Sequence, residues 1–229
     1  MEKNLEYQTE KRASRRAKFW KFTLIFVLIL IILGGIWFAG LFKIPTHFRT
    51  VQIVDSNEVS QYLTNVVLTQ FYNKSQIPEP FEVVLSQDGV NEIISKFITN
   101  DMLKKWNFSD ISITFERGQI LLTAKTIYRG RDFIVTAVFT PSVTEKGFNT
   151  GFSKMYAGTS RLPFAKRILR DRILYKVAGT KIESDAIHYA GIIFSENHLP
   201  PKFEFNHRNI NVQQINIEDK KLTIRFLPE

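Results

Sequence analysis

The chain has 229 residues, no cysteine, 20 phenylalanines and a formal charge of +9. The missing cysteines exclude disulfides, thiol catalysis and cysteine-ligated metal, and the length suits one well-cored domain but not two large ones. The basicity is local: residues 1–42 carry net +4, residues 154–181 carry net +7 and the remainder is near −2, so no nucleic-acid partner is expected.

Residues 1–21 are a basic tail holding Lys11, Arg12, Arg15, Arg16, Lys18 and Lys21. Disorder is expected in only about the first 15 residues. Residues 22–42 contain no charged side chain and, of hydroxyls, only Thr23. Twenty-one helical residues at about 1.5 Å each reach roughly 31 Å, the thickness of a hydrocarbon core. A cleaved signal has an apolar run of about 7–15 residues and then a small-residue site. Here the run is longer, and Trp37 stands where that site needs a small side chain. An uncleaved transmembrane helix is therefore expected, with Trp20, Trp37 and Phe38 at its two interfaces. Gly34 and Gly35 read as glycines tolerated in a span. The six cations from Lys11 to Lys21 before the span against Lys43 and Arg49 after it put the N-terminus in the cytoplasm and the rest outside the cell membrane. Membrane lipid is thus the first expected partner, through the span; the cations read first as topology determinants, although each near an anionic leaflet would add about 1 kcal/mol.

Residues 43–54 read as a stalk and 55–229 as one extracytoplasmic domain. Val59, Tyr62, Leu63, Val66, Val67 and Phe71 recur at helical spacing over 55–73, with Asp55 or Ser56 as the cap. Residues 81–85 read as a strand. Ser86 caps a second helix carrying Val90, Ile93, Ile94, Phe97 and Ile98 on one side, and Met102, Leu103 and Trp106 extend or follow it. The period then changes to two. Strands are expected over 108–116, 119–128, 131–140 and 148–156, with turns at Arg117-Gly118, Gly130 and Glu145-Lys146-Gly147. The third is apolar on both faces and should lie centrally. Pro163 opens a helix over 164–176 with a cationic side. Residues 181–194 read as strand, and 211–217 with 221–227 as a closing hairpin around Glu218-Asp219-Lys220. The fold class expected is α+β: an N-terminal transmembrane helix, then a curved antiparallel β-meander packed on two or three helices.

The order of these elements resembles the YpmS-like family of single-pass, membrane-anchored bacterial proteins of unknown function. The likeness is carried by residues 80–98, 120–169 and 210–228. Within them a strand ends at Phe139-Thr140-Pro141, a turn follows at Glu145-Lys146-Gly147, and Gly158-Thr159-Ser160-Arg161-Leu162-Pro163 comes next. The resemblance implies an N-terminal anchor and one extracytoplasmic domain, and supplies no catalytic motif. The cationic helix 164–176 and the longer basic tail depart from the family pattern. Looser analogy with helix-clasping curved sheets points to lipid-binding envelope domains.

The residues offer no catalytic constellation. His47, His188, His198 and His207 have no metal-ligand spacing, and the neighbouring Ser195 and His198 lack a nucleophile elbow. No enzymatic activity, cofactor or metal is expected. Two features point to binding. An apolar excess on the meander is either core or an acyl groove, in which Phe133, Val135, Phe139, Phe152 and Tyr156 would touch lipid. The cationic run is either a solvated face or a contact for anionic headgroups or an anionic envelope polymer, through Arg161, Lys166, Arg167 and Arg170. A scaffold for another envelope protein is the alternative.

Overall fold

The computed structural model describes residues 2–53, 58–105, 107–128, 130–145, 147–163, 165 and 198–229. The expected caps Asp55 and Ser56, all of the cationic helix but Ala165, and the strand over 181–194 lie outside the described residues.

The first helix, α1, runs Glu2–Gly40. It reaches back through the stretch expected to be disordered, because Glu, Lys, Arg and Ala dominate there and are strong helix formers. Its segment Trp20–Gly40 has a mean hydropathy of 2.8 and none of it is buried, so it is long and apolar enough to cross a membrane.

A second helical rod is π-helical over Tyr62–Leu68 and continues as α2, Thr69–Ser75. It starts later than the periodicity suggests. Ser60 Oγ accepts from Leu63 N–H at 3.1 Å, and Glu92 Oε1 accepts from Ser60 Oγ at 2.9 Å and from Tyr62 N–H at 3.1 Å. The first-turn amides are thus satisfied by a hydroxyl and a carboxylate. The Tyr62 amide, then the Ser60 hydroxyl, holds Glu92 below the usual carboxylate range. Strand β1, Phe81–Ser86, leads into α3, Gln87–Phe97, where Ser86 Oγ caps Gly89 N–H at 3.1 Å as the sequence indicates. A short α4, Asn100–Lys105, follows and buries Leu103.

Strands β2 (Phe108–Glu116), β3 (Gln119–Tyr128), β4 (Arg131–Phe139), β7 (Phe152–Ala157) and β8 (Ser160–Arg161) form one antiparallel sheet in that order. β4 is central, as its two apolar faces require. The strand expected over 148–156 is broken. A small hairpin of β5 (Ser142–Thr144) and β6 (Gly147–Asn149) comes first, and the chain then kinks at Gly151 with φ +62°. That left-handed conformation suits only glycine without strain, and Gly151 O accepts from Thr140 N–H at 2.9 Å.

The second sheet has the order β1-β11-β10-β9, with β9 at Lys202–Phe205, β10 at Arg208–Glu218 and β11 at Lys221–Pro228. The closing hairpin is therefore not free-standing: Phe81 of β1 faces Phe226 and Val83 faces Ile224. The helical rod lays Val67 and Phe71 on the core of Phe81, Val83, Ile210 and Phe226. The two sheets meet where Phe115 packs on Ile217 and Leu222, and their hairpins interlock through Gly118 N–H to Ile217 O at 2.9 Å and Lys220 N–H to Phe115 O at 3.1 Å. Helix α3 covers the outer edge of β2. Asn91 donates to Ile113 O and accepts from Ile113 N–H, each at 2.8 Å, and Gln87 Oε1 accepts from Phe115 N–H at 3.0 Å. An edge strand otherwise presents open backbone groups to other chains.

Candidate functional site

The last carbonyls of a helix have no partner within it. At the end of α1 they are met by the β7–β8 hairpin. Gly40 O accepts from Thr159 N–H at 2.9 Å and from Thr159 Oγ1 at 3.2 Å, and Trp37 O accepts from Ser160 Oγ at 2.7 Å. The indole of Trp37 donates in return to Arg161 O at 3.1 Å. Gly158 makes this approach feasible: its φ is +55°, and a Cβ there would collide with the carbonyl oxygens of Gly40, Leu41 and Lys43. The glycine-to-proline element 158–163 is thus the cap of the apolar helix.

Beside this joint lies a cavity of about 570 Å³, walled by Trp37, Phe152, Lys154, Met155, Arg161 and Leu162. It opens because β8 pairs with only the last two residues of β7. Leu162 N–H still reaches Met155 O at 2.8 Å. Its lining joins the apolar Phe152, Met155 and Leu162 to two cations and an amphipathic indole.

Of the residues singled out by sequence, Phe152 and Arg161 meet in this cavity. Phe139 tilts against Phe152 with ring centroids 5.6 Å apart. Phe133 meets Phe42 edge-on at 6.1 Å, and Val135 lies opposite Ala124 and Ala157. Tyr156 lies opposite Thr136 and Arg161, so Tyr156 and Arg161 share the face of the sheet opposite Phe139 and Phe152. Lys166, Arg167 and Arg170 lie outside the described residues. Trp37 and Lys154 were legible as an interfacial aromatic and as the first cation of the basic run, but no sequence pattern joined them. Among the described residues no three histidine or acidic side chains converge as metal ligands.

The more polar face of the five-stranded sheet buries Asp110, 4% exposed, and Ser112, Thr123 and Thr136, at 1% or less, beside the apolar Leu121, Ile134 and Val138. On the opposite face Phe115 and Ala124 are buried, while Ile111, Ile113, Leu122, Val135, Ala137 and Phe139 are half-buried. Residues 43–53, read from sequence as a stalk, are laid over the polar face. His47 Nε2 lies 3.1 Å from Thr136 Oγ1, Thr114 Oγ1 donates to His47 O at 3.2 Å, and Asp110 Oδ1 accepts from Val51 N–H at 3.2 Å. Burial pushes His47 down, against the pull of Glu116. Burial also pushes the Asp110 carboxyl up, partly offset by the Val51 and Ile111 amides, the Thr50 hydroxyl and Lys125.

Because the folded-state pKa of Asp110 is raised, its charge opposes folding once the pH climbs through that value, and the penalty vanishes below the ordinary carboxylate range. Asp110→Asn keeps an oxygen for Val51 N–H and removes the charge. It is expected to raise the thermal midpoint at pH 7, with the gain shrinking as the pH falls into the carboxylate range. Equal midpoints at pH 7 would show that the carboxylate is not desolvated.

No family model, curated protein or solved structure matches the chain.

Proposed function

We propose that the protein is a single-pass, membrane-anchored cell-envelope protein of the YpmS-like kind, not an enzyme. Its N-terminus is cytoplasmic and its curved sheet domain extracytoplasmic. The domain binds or shields a lipid or an anionic lipid-linked envelope polymer at the outer end of α1. The observation that carries this reading is the cavity against Trp37, which brings Phe152, Met155 and Leu162 together with Lys154 and Arg161. Its wall belongs to the apolar helix itself, so a ligand there sits at headgroup depth, where indoles and cations are favoured. The half-buried apolar face that includes Val135 and Phe139 supports the acyl part of the reading. A basic segment after Pro163 supports the anionic part.

The test is native mass spectrometry of the full chain with extraction of bound lipid, comparing wild type with Lys154→Glu/Arg161→Glu. Two cations at about 1 kcal/mol each near an anionic surface amount to roughly a 30-fold loss of retained anionic lipid. Equal retention in both proteins, or a wild type free of lipid after incubation with phosphatidylglycerol, would sink the reading.

The scaffold alternative draws on a different surface. Val59, Leu68 and Tyr72 are exposed on and beside the helical rod, and among the described residues nothing lies within 4 Å of a Cβ placed on Gly34 or Gly35 of α1. Cross-links from these positions to an envelope protein, with no bound lipid, would favour it.

A further inference from the structure

Phe42 closes the apolar stretch, and its surroundings reach beyond the cavity. Its ring meets Phe133 edge-on at 6.1 Å, and the Arg131 guanidinium carbon stands 5.7 Å from the ring centroid. Both partners belong to the start of β4. In the β3–β4 ladder Phe133 faces Thr126 and Asp132 faces Ile127, so Ile127 lies one rung nearer the hairpin tip than the rung that Phe42 touches. Opposed residues in such a ladder have Cα atoms about 4.5–5.5 Å apart. The tip is therefore placed at the depth where the helix ends.

Its surface fits that depth. Ile127 is 62% exposed and Ile44, just past the helix, is 65% exposed. Ile127 shares a groove with Leu103 and Phe108 yet keeps most of its surface open, as does Ile44. Lys43 and Arg131 flank them, both exposed. The acidic group of the hairpin, Asp132, is held by Lys125 at 2.9 Å, which leaves the tip cationic. Apolar side chains ringed by cations suit an anionic leaflet.

We infer that the β3–β4 hairpin is a second membrane contact: Ile127 and Ile44 enter the headgroup layer of the leaflet that α1 reaches, and Lys43 and Arg131 hold anionic headgroups there. The inference rests on α1 as a membrane span and is independent of the cavity. The domain then sits against the bilayer instead of standing off it.

The absence of native cysteine allows single labels in the full chain. Ile127→Cys, Ile31→Cys within α1 and Arg117→Cys on the β2–β3 turn would each carry an environment-sensitive fluorophore. Each protein is reconstituted in vesicles of 7:3 phosphatidylcholine and phosphatidylglycerol (about 30% anionic lipid, enough for the attraction that cations gain at such surfaces), with lipid-borne quencher. The expected result is quenching at positions 31 and 127 and none at 117. Adding Lys43→Glu/Arg131→Glu should at least halve the quenching at 127 and leave that at 31 unchanged. Quenching at 31 with a signal at 127 like that at 117 overturns the hairpin contact. A water-like signal at all three positions overturns the span and the contact together. Quenching at 127 that ignores the charge reversal overturns the headgroup role of Lys43 and Arg131.

Discussion

Gly158→Ala is expected to lower the thermal midpoint of the full chain by roughly 5–15 °C and to release the β7–β8 hairpin from α1. Two effects add. A left-handed backbone costs an L-residue about 1–2 kcal/mol, and forcing a methyl group into a packed site costs about 1–3 kcal/mol. For a chain of this size each kcal/mol moves the midpoint about 2–4 °C. Here the collision is with three backbone carbonyls, of Gly40, Leu41 and Lys43, which have no rotamer to escape into. Hydrogen exchange provides the local readout. The Thr159 amide, bonded to Gly40 O at 2.9 Å, should be protected in the wild type and exchange quickly in the variant. A midpoint within a few degrees of wild type with the amide still protected would mean that the hairpin does not cap the helix.

Phe71→Ala is expected to be as damaging, at about 3–5 kcal/mol. The ring has neighbours on three strands and contacts Phe81 at 5.5 Å, Phe205 at 4.8 Å and Phe226 at 5.1 Å between centroids. Its loss removes buried area and several edge-to-face pairs, each worth about 0.5–1.5 kcal/mol, and leaves a hole that three separate strands cannot close together. Phe71→Leu should restore much of the loss. Denaturant titration of both variants decides it, and an alanine variant within about 1 kcal/mol of wild type, the range of an ordinary substitution, would show that the rod is not part of the core.

What could be read in the sequence was local. The alternation of Ile111, Ile113 and Phe115, and the glycines at 118 and 130, define β2, β3 and β4 nearly residue by residue. Both glycines have φ +74°, as their turns demand. Ser86 announces α3 because a cap is a contact three residues long. The pairing of β1 with β11 left no such mark: Phe81 and Phe226 are far apart in sequence, and both strands look equally able to pair elsewhere. The split at Gly151 was hidden because Phe148, Thr150 and Phe152 keep the period of two across the kink. The cavity was the least legible of all. Trp37 lies 124 residues before Arg161, and only the capping hairpin, which carries both Lys154 and Arg161, brings the indole to the cations.

The attachment of α1 to the sheet has a mechanical consequence. One fastening is the hairpin on the carbonyls of Trp37 and Gly40; the other is the strap of residues 43–53, bonded at His47 and Val51. A lever held at one point swivels, whereas one held at two points transmits torque. Rotation or tilt of α1 is therefore handed to the sheet as a twist, and the joint behaves as an axle instead of a tether.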